Sequence, residues 1–491
     1  MNYHPCSLIR LQSAFRPFNV TIGVLTAAIL LLVLSHTASA SASDAKGQAA
    51  SRPCAFSDAE FDPATNVHAL DDYRDAIAQL LKPEKFADLD CLADAARAGK
   101  TRFSGGSWKL DNIYLGLQSP RPGRPTHEDW QQHLELIERW TRTNPQSITA
   151  PIALADSYIA YAWDARGDGT ADTVSDSGWK LFAENMAKAK TILVDASASA
   201  QKCPEWYAAM QGVAQGQSWD LDQTTALFAQ AVAFEPAYQY YYRAYANILL
   251  PQWSGEEGDA ARFSEQSANR ISGEAGDALY FLIADKVASC GCENPEFTHF
   301  SWPRLQSGFA ALEKQYGVSL ALLNSFALMA TNAQDWVVAD AAFKRIGDNW
   351  SKTTWSTEAW YKQRRDSAAQ VAPILIRIRA TRKEALANMQ TPEGQAYMKA
   401  VEQKLAAFEQ PCLQDSNGDQ TKYEMELSVG EKGNAELAQS EQHQNPFANC
   451  VMQSLYLSFL KKETPFPPPP PHASYWLLLE LDRSTFAAFA K

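Results

Sequence analysis

The sequence predicts a mainly α-helical chain in which a long helical repeat region is followed by a small α+β domain. Three observations carry this. Alanine-rich segments with helical apolar spacing recur from about residue 68 to 370, and strand-like alternation is scarce among them. Strict alternation appears late, in "KYEMELSV". Five consecutive prolines, Pro467 to Pro471, then separate a helical segment from the dense apolar stretch "SYWLLLEL". Proline continues neither a helix nor a sheet ladder, so the tract reads as a stiff connector between two different elements.

Composition bounds the rest. With 491 residues, 46% apolar and 20% charged, the chain is long enough for two or three domains and is not disordered in character. Arg10 and Arg16 precede an apolar run from Val20 to Leu34, and small residues follow at Ala38 and Ala40. These are the three parts of a secretory signal, and the run is short for a bilayer span. The expectation is export with cleavage near Ala40 to the periplasm or beyond. The alternative is an inner-membrane anchor facing the periplasm, the only membrane association expected. Loss of Arg10 and Arg16 takes the net charge from −12 to −14. An acidic chain lacks the cations that phosphate contacts require, so nucleic acid is not an expected partner.

Of eight cysteines, Cys6 falls in the signal. Outside the cytoplasm the remaining seven default to disulfides. Cys412 and Cys450 are expected to pair, because both belong to one small domain that a core alone stabilises modestly. The pairing of Cys54, Cys91, Cys203, Cys290 and Cys292 stays open. Cys290 and Cys292 with His299 do not have zinc spacing, and no metal or cofactor is expected.

Residues 41–67 read as a linker and 68–375 as the helical repeat domain. In "THEDWQQHLELIERW", Thr126 and Asp129 make a capping-box start, and Trp130, Leu134 and Ile137 share a face. Small residues recur at equal offsets: Ala153 and Ala155 after Pro145, Ala244 and Ala246 after Pro236. Small residues let neighbouring helices approach closely, as stacked helical hairpins require. The pattern resembles a degenerate tetratricopeptide repeat and so a helical solenoid. Together "LDDYRDAIAQLL", "FADLDCLADAAR", "WKLDNIYLGL", "AWDARG", "CPEWY", "EPAY" and "LLPQWSGEEG" resemble, over about 70–290, a bacterial helical-repeat family of unknown function. That resemblance implies the fold and no activity.

After a connecting helix at 376–393, residues 394–491 form the α+β domain. "MKAVEQKLAAFEQPC" is a helix ending at proline. In the strand that follows, Tyr423, Met425, Leu427 and Val429 share one face. Gly430 to Gly433 turn the chain into a second strand, "NAELAQSEQ". Asn445 caps a helix with Pro446 at its first position, and "SYWLLLEL" is the last strand. The order helix, strand, strand, helix, strand, with "VGEKGN" between the strands, resembles the TonB C-terminal domain family over about 394–488. The long proline-rich spacer of TonB has no counterpart; helical repeats occupy its place. The resemblance implies that an extended peptide adds to a sheet edge, with Tyr475, Trp476, Leu478 and Glu480 as the edge if that strand lies outermost and "NAELAQSEQ" as the alternative edge.

No nucleophile elbow, zinc-protease helix, phosphate loop or dinucleotide fingerprint occurs. "DSNGDQTKYEME" has acidic and amide residues at calcium-loop positions, but Gln420 stands where the turn needs glycine, so it reads as a polar turn. The remaining signal is aromatic. Trp163, Trp206, Tyr207 and Trp253 crowd one region, and Arg166 beside them has a guanidinium able to clamp a carboxylate or to cap a helix C-terminus. These five are the expected ligand-binding residues. The functional expectation is an exported, non-enzymatic envelope binding or scaffold protein whose partners are envelope proteins or peptides, with no catalytic residues. The alternative is an envelope enzyme acting on cell-wall or glycan material, which requires a pocket with convergent titratable groups.

Overall fold

A computed structural model describes residues 54–120, 125–197, 203–288, 295–414, 423–439, 446–470 and 476–481. The signal at 1–40, residues 41–53 of the linker, Cys290, Cys292, the polar turn at 415–422 and Tyr475 lie outside the described residues. The chain is predominantly helical and divides into two compact units. The first contains His68–Gly317, and the second contains Val318 onward. This division falls inside the stretch 68–375 that the sequence assigns to one repeat domain.

The first unit holds α1 (Ala69–Leu81), α2 (Phe86–Gly99), α3 (Lys109–Leu117), α4 (His127–Thr143), α5 (Thr149–Arg166), α6 (Asp176–Ala196), α7 (Pro204–Gly216), α8 (Leu221–Phe234), α9 (Tyr240–Ile248), α10 (Asp259–Ile271), α11 (Gly273–Ala288) and α12 (Trp302–Tyr316). Successive helices pack on one another, an arrangement compatible with a helical-repeat fold. The reciprocal box between Thr126 and Asp129 opens α4, and Trp130, His133, Leu134, Ile137 and Trp140 form its buried stripe. Close approach depends on small residues. A Cβ at Gly276 would lie 2.2 Å from the Ala268 carbonyl oxygen, and one at Gly308 would lie 2.1 Å from that of Asp277, so α10, α11 and α12 pack backbone to backbone. Helix α5 is buried almost all round, from Thr149 to Ala162, which makes it central to the unit.

The second unit contains α13 (Leu320–Asn332), α14 (Trp336–Ile346), α15 (Lys352–Trp355), α16 (Glu358–Met389), α17 (Pro392–Glu409), β1 (Tyr423–Val429), β2 (Ala435–Gln439), α18 (Pro446–Leu460) and β3 (Trp476–Leu481). The boundary expected at 375 falls inside α16, which carries Pro373 in its interior. A long helix can pass a proline by giving up one backbone bond and bending. The strands form an antiparallel sheet in the order β2-β1-β3. Met425, Leu427 and Val429 of β1 point into a core with Tyr397, Val401, Leu405, Phe447, Val451 and Leu455. The proline connector is pinned at its start. The Phe466 amide donates to the Gly433 carbonyl at 3.0 Å, and the Tyr397 hydroxyl donates to the Pro467 carbonyl at 3.0 Å. Gly433 adopts φ +84°, and a Cβ there would strike the Phe466 carbonyl.

Disulfides join Cys54 to Cys91 in the first unit and Cys412 to Cys450 in the second, with Cα atoms 5.8 and 5.7 Å apart. The second is the pairing expected from the domain's size. Cys203 is free and buried.

Candidate functional site

Three carboxyl groups meet in the interior of the first unit, each from a different helix: Asp111 on α3, Asp156 on α5 and Glu205 in the first turn of α7. All three are buried, with Asp156 only 7% exposed. Charged groups in such positions are costly unless paired, and the pairing here is uneven.

Asp111 is the best provided for. The Tyr240 hydroxyl hydrogen-bonds its carboxylate, and Arg74 and Arg243 lie within electrostatic reach. Burial still lifts its pKa to about 6. The Tyr240 hydroxyl is fixed in turn by the Trp108 amide and the Ser107 hydroxyl, each at 3.2 Å. Both arginines have other commitments. Arg74 donates to Asn112 at 2.9 Å and to Asp71 at 3.0 Å, while Arg243 pairs with Asp285 at 3.3 Å.

Glu205 follows Pro204, which occupies the start of α7. A helix N-terminus favours a carboxylate, but burial and the neighbouring charges of Asp111 and Asp156 outweigh that and raise its pKa well above the usual range. The Tyr238 hydroxyl donates to it in a short hydrogen bond. Asp156 has no hydrogen-bond partner among the described residues. Burial first, and then the Asp111 charge, hold its pKa well above the ordinary carboxylate value.

Asp156 and Glu205 line a cleft of about 140 Å³ together with Tyr114, Gln118, Ile159, Ala209 and Gly212; Leu115 and Ala208 complete its wall. Leu115, Gln118, Ala208 and Gly212 are half-buried and form its rim. The wall is mostly aliphatic, so the two carboxyls are its main polar features apart from the Gln118 amide and the Tyr114 hydroxyl. That hydroxyl contacts the Cys203 sulfur at 3.6 Å, and burial pushes the Cys203 thiol up to about 11. Behind α5, the His133 imidazole donates from Nε2 to the Leu117 carbonyl at 2.8 Å; burial lowers its pKa to about 4 and keeps it neutral. No group of three or more His, Cys, Asp or Glu side chains able to hold a metal occurs among the described residues.

Of the five residues singled out in the sequence, Trp163, Arg166 and Trp253 come together. Trp163 meets Trp253 edge to face at 5.9 Å, and the Arg166 guanidinium faces Trp163 at 5.8 Å and Trp179 at 5.6 Å. Trp179 and Trp253 are 38% and 40% exposed, so this is a surface ledge. Arg166 also donates to the carbonyls of Gly167 and Gly169, at 3.1 and 3.0 Å, bracing the loop where α5 ends. Trp206 and Tyr207 lie elsewhere, packed into the interior. Trp206 donates to the Leu193 carbonyl at 2.6 Å, and Tyr207 packs edge to face against Trp206 and Tyr241 and tilted against Phe234.

The carboxyl cluster was missed in the sequence, although a signal existed. "APIALADSYIAYAW" places one aspartate inside an otherwise apolar helix, and "CPEWY" sets Glu205 beside the two aromatics that drew attention. At the sheet, β3 is outermost and pairs only with β1 among the described strands. Trp476 stands opposite Ser428, Leu478 opposite Glu426 and Glu480 opposite Glu424.

No protein-family model, curated protein or solved structure matches this chain. The resemblances drawn from its motifs therefore rest on those motifs alone.

Proposed function

We propose that the chain is an exported bacterial envelope binding protein in which the helical unit takes a small ligand group into the Asp156–Glu205 cleft. The observation that carries this reading is Asp156. A carboxyl nine-tenths buried, without a hydrogen bond and lining a cleft, leaves acceptor capacity that the fold itself does not use. The two disulfides suit an oxidising compartment. No described helix is long and apolar enough to cross a membrane. The Trp163–Arg166–Trp253 ledge offers aromatic faces to a larger envelope partner. In the second unit, the TonB-like element order and the outermost position of β3 support strand addition by an envelope protein or peptide.

The test is a fragment screen by ligand-observed NMR on the wild type and on Gly212→Leu, whose side chain fills the cleft from α7. Thermal melting confirms that the variant folds. Fragments that bind the wild type and not the variant are the expected result. A set of hits indifferent to Gly212→Leu overturns the reading.

A second reading, an enzyme on cell-wall or glycan material, is favoured by one observation: two carboxyls with raised pKa share one cleft, as a general acid requires. Product release from cell-wall fragments, lost in both Asp156→Asn and Glu205→Gln, would replace binding by catalysis. The binding reading expects no turnover.

A further inference from the structure

Resting on the reading of the cleft as a binding site, we infer that its ligand group is a primary ammonium on an alkyl stem, received between the carboxyls of Asp156 and Glu205. Three carboxyls act on one another here, and the cations within reach, Arg74 and Arg243, act on Asp111 and are already bonded to Asp71, Asn112 and Asp285. No cation is among the groups that act on Asp156 or Glu205, while Arg97 acts on Tyr114 and Cys203, so the charge these two carboxyls would carry on ionising is unmatched at the cleft.

Asp156 has only acceptors when ionised and meets no donor, and Glu205 receives one bond, from Tyr238. An ammonium group carries three donors and no acceptor, which complements this set, and the Gln118 carbonyl is available as a third acceptor at the rim. A cavity of this volume is comparable to one that holds a benzene molecule, and the aliphatic wall of Leu115, Ile159, Ala208 and Ala209 suits a short methylene chain.

The inference has a proton signature. Without ligand, the cluster holds its charge down by retaining protons. An arriving R–NH3+ replaces a proton, which leaves to solvent, so that cation in and proton out balance. The groups packed around the pair do not titrate between about pH 6 and about pH 8. His133, on α4, is already neutral. Tyr114 on α3 and Cys203 before α7 are held protonated by burial. Tyr238 and Tyr240, at α9, likewise stay neutral. Arg97 on α2 has its pKa raised and stays charged. Only Asp111, Asp156 and Glu205 remain to release the proton. Affinity for a cation therefore rises with pH. A neutral acceptor bound by the protonated acids would show the opposite slope, and an anion would be repelled.

The experiment is calorimetric titration of the full protein with n-butylammonium chloride, with n-butanol and n-butyrate as the neutral and anionic counterparts. It is run in two buffers of different ionisation enthalpy. Expected is binding of n-butylammonium alone, release of about one proton, and an affinity rising by up to about tenfold per pH unit. Asp156→Asn, which removes no hydrogen bond, should weaken binding about tenfold or more and flatten the pH slope. If that variant does not fold, the wild-type slope and the three-probe comparison still decide. A flat or falling slope, no binding of n-butylammonium, or equal binding of n-butanol or n-butyrate overturns the inference. If n-butanol or n-butyrate then binds in a manner abolished by Gly212→Leu, the cleft reading survives without the cation. If no probe depends on Gly212, both fall. Among supporting results, tighter binding of Nα-acetyl-lysine amide than of n-butylammonium places the group on a peptide lysine, and equal binding places it on a free amine.

Discussion

Asp156 sets the pH behaviour of the first unit. Its carboxyl binds a proton more tightly in the folded chain than in the unfolded one, and so does that of Glu205. As pH rises above the ordinary carboxyl range, the unfolded chain releases these protons first, and folding stability falls until the raised folded pKa values are passed. His133 acts in the other direction. Its pKa, lowered to about 4, costs stability as pH falls below the unfolded value of 6.5. Above about pH 7.5, one unit past the unfolded histidine value, the carboxyl effect stands alone, so the melting temperature of the wild type should fall as pH rises until the raised folded values are passed. Asp156→Asn keeps the shape, cannot ionise, and should show a shallower fall by calorimetry; an equal fall would mean that Asp156 is ionised in the folded state. None of this is periodic in sequence. Asp111, Asp156 and Glu205 stand on three helices and meet only through packing, so a search by local spacing finds aromatics such as Trp206 and passes over their neighbour Glu205.

Elements were more legible than residues, because caps, alternation and proline act locally. The box at Thr126 and Asp129, the buried face Met425–Leu427–Val429 and the proline connector at Phe466–Pro467 lie where the local chemistry puts them. The division at 375 was not legible, since helix α16 runs through its proline. Pro373 cannot donate to the carbonyl one turn before it, so α16 carries an unfilled backbone acceptor and a steric conflict at an exposed position. Pro373→Ala should therefore stabilise the second unit by about 1–3 kcal/mol, less the added freedom of the unfolded chain. Denaturant unfolding measures this, and a destabilised variant would show that packing in this region requires the bend.

At the scale of the whole molecule, each unit holds one disulfide among the described residues, and the two close loops of nearly equal length, with sequence separations of 37 and 38. On the chain-entropy model each contributes about 4 kcal/mol. Folded domains are stable by only about 5–15 kcal/mol in total, so neither unit has much margin without its bridge. The chain should accumulate folded when passed to an oxidising compartment and should be largely lost to proteolysis when retained in a reducing one. In vitro, reductant should lower the unfolding midpoint of both units. Cys203 provides an internal check. Its thiol is fully buried and pushed up to about 11, so in the native oxidised protein it should not react with a thiol reagent near pH 8, and it should react once the first unit unfolds. Mapping labelled cysteines by peptide mass spectrometry separates the cases. Label at Cys203 alone on unfolding, with Cys54, Cys91, Cys412 and Cys450 protected until reduced, is the expected pattern for these five. Native labelling of Cys54 or Cys412 would show open bridges and remove the argument for an oxidising compartment.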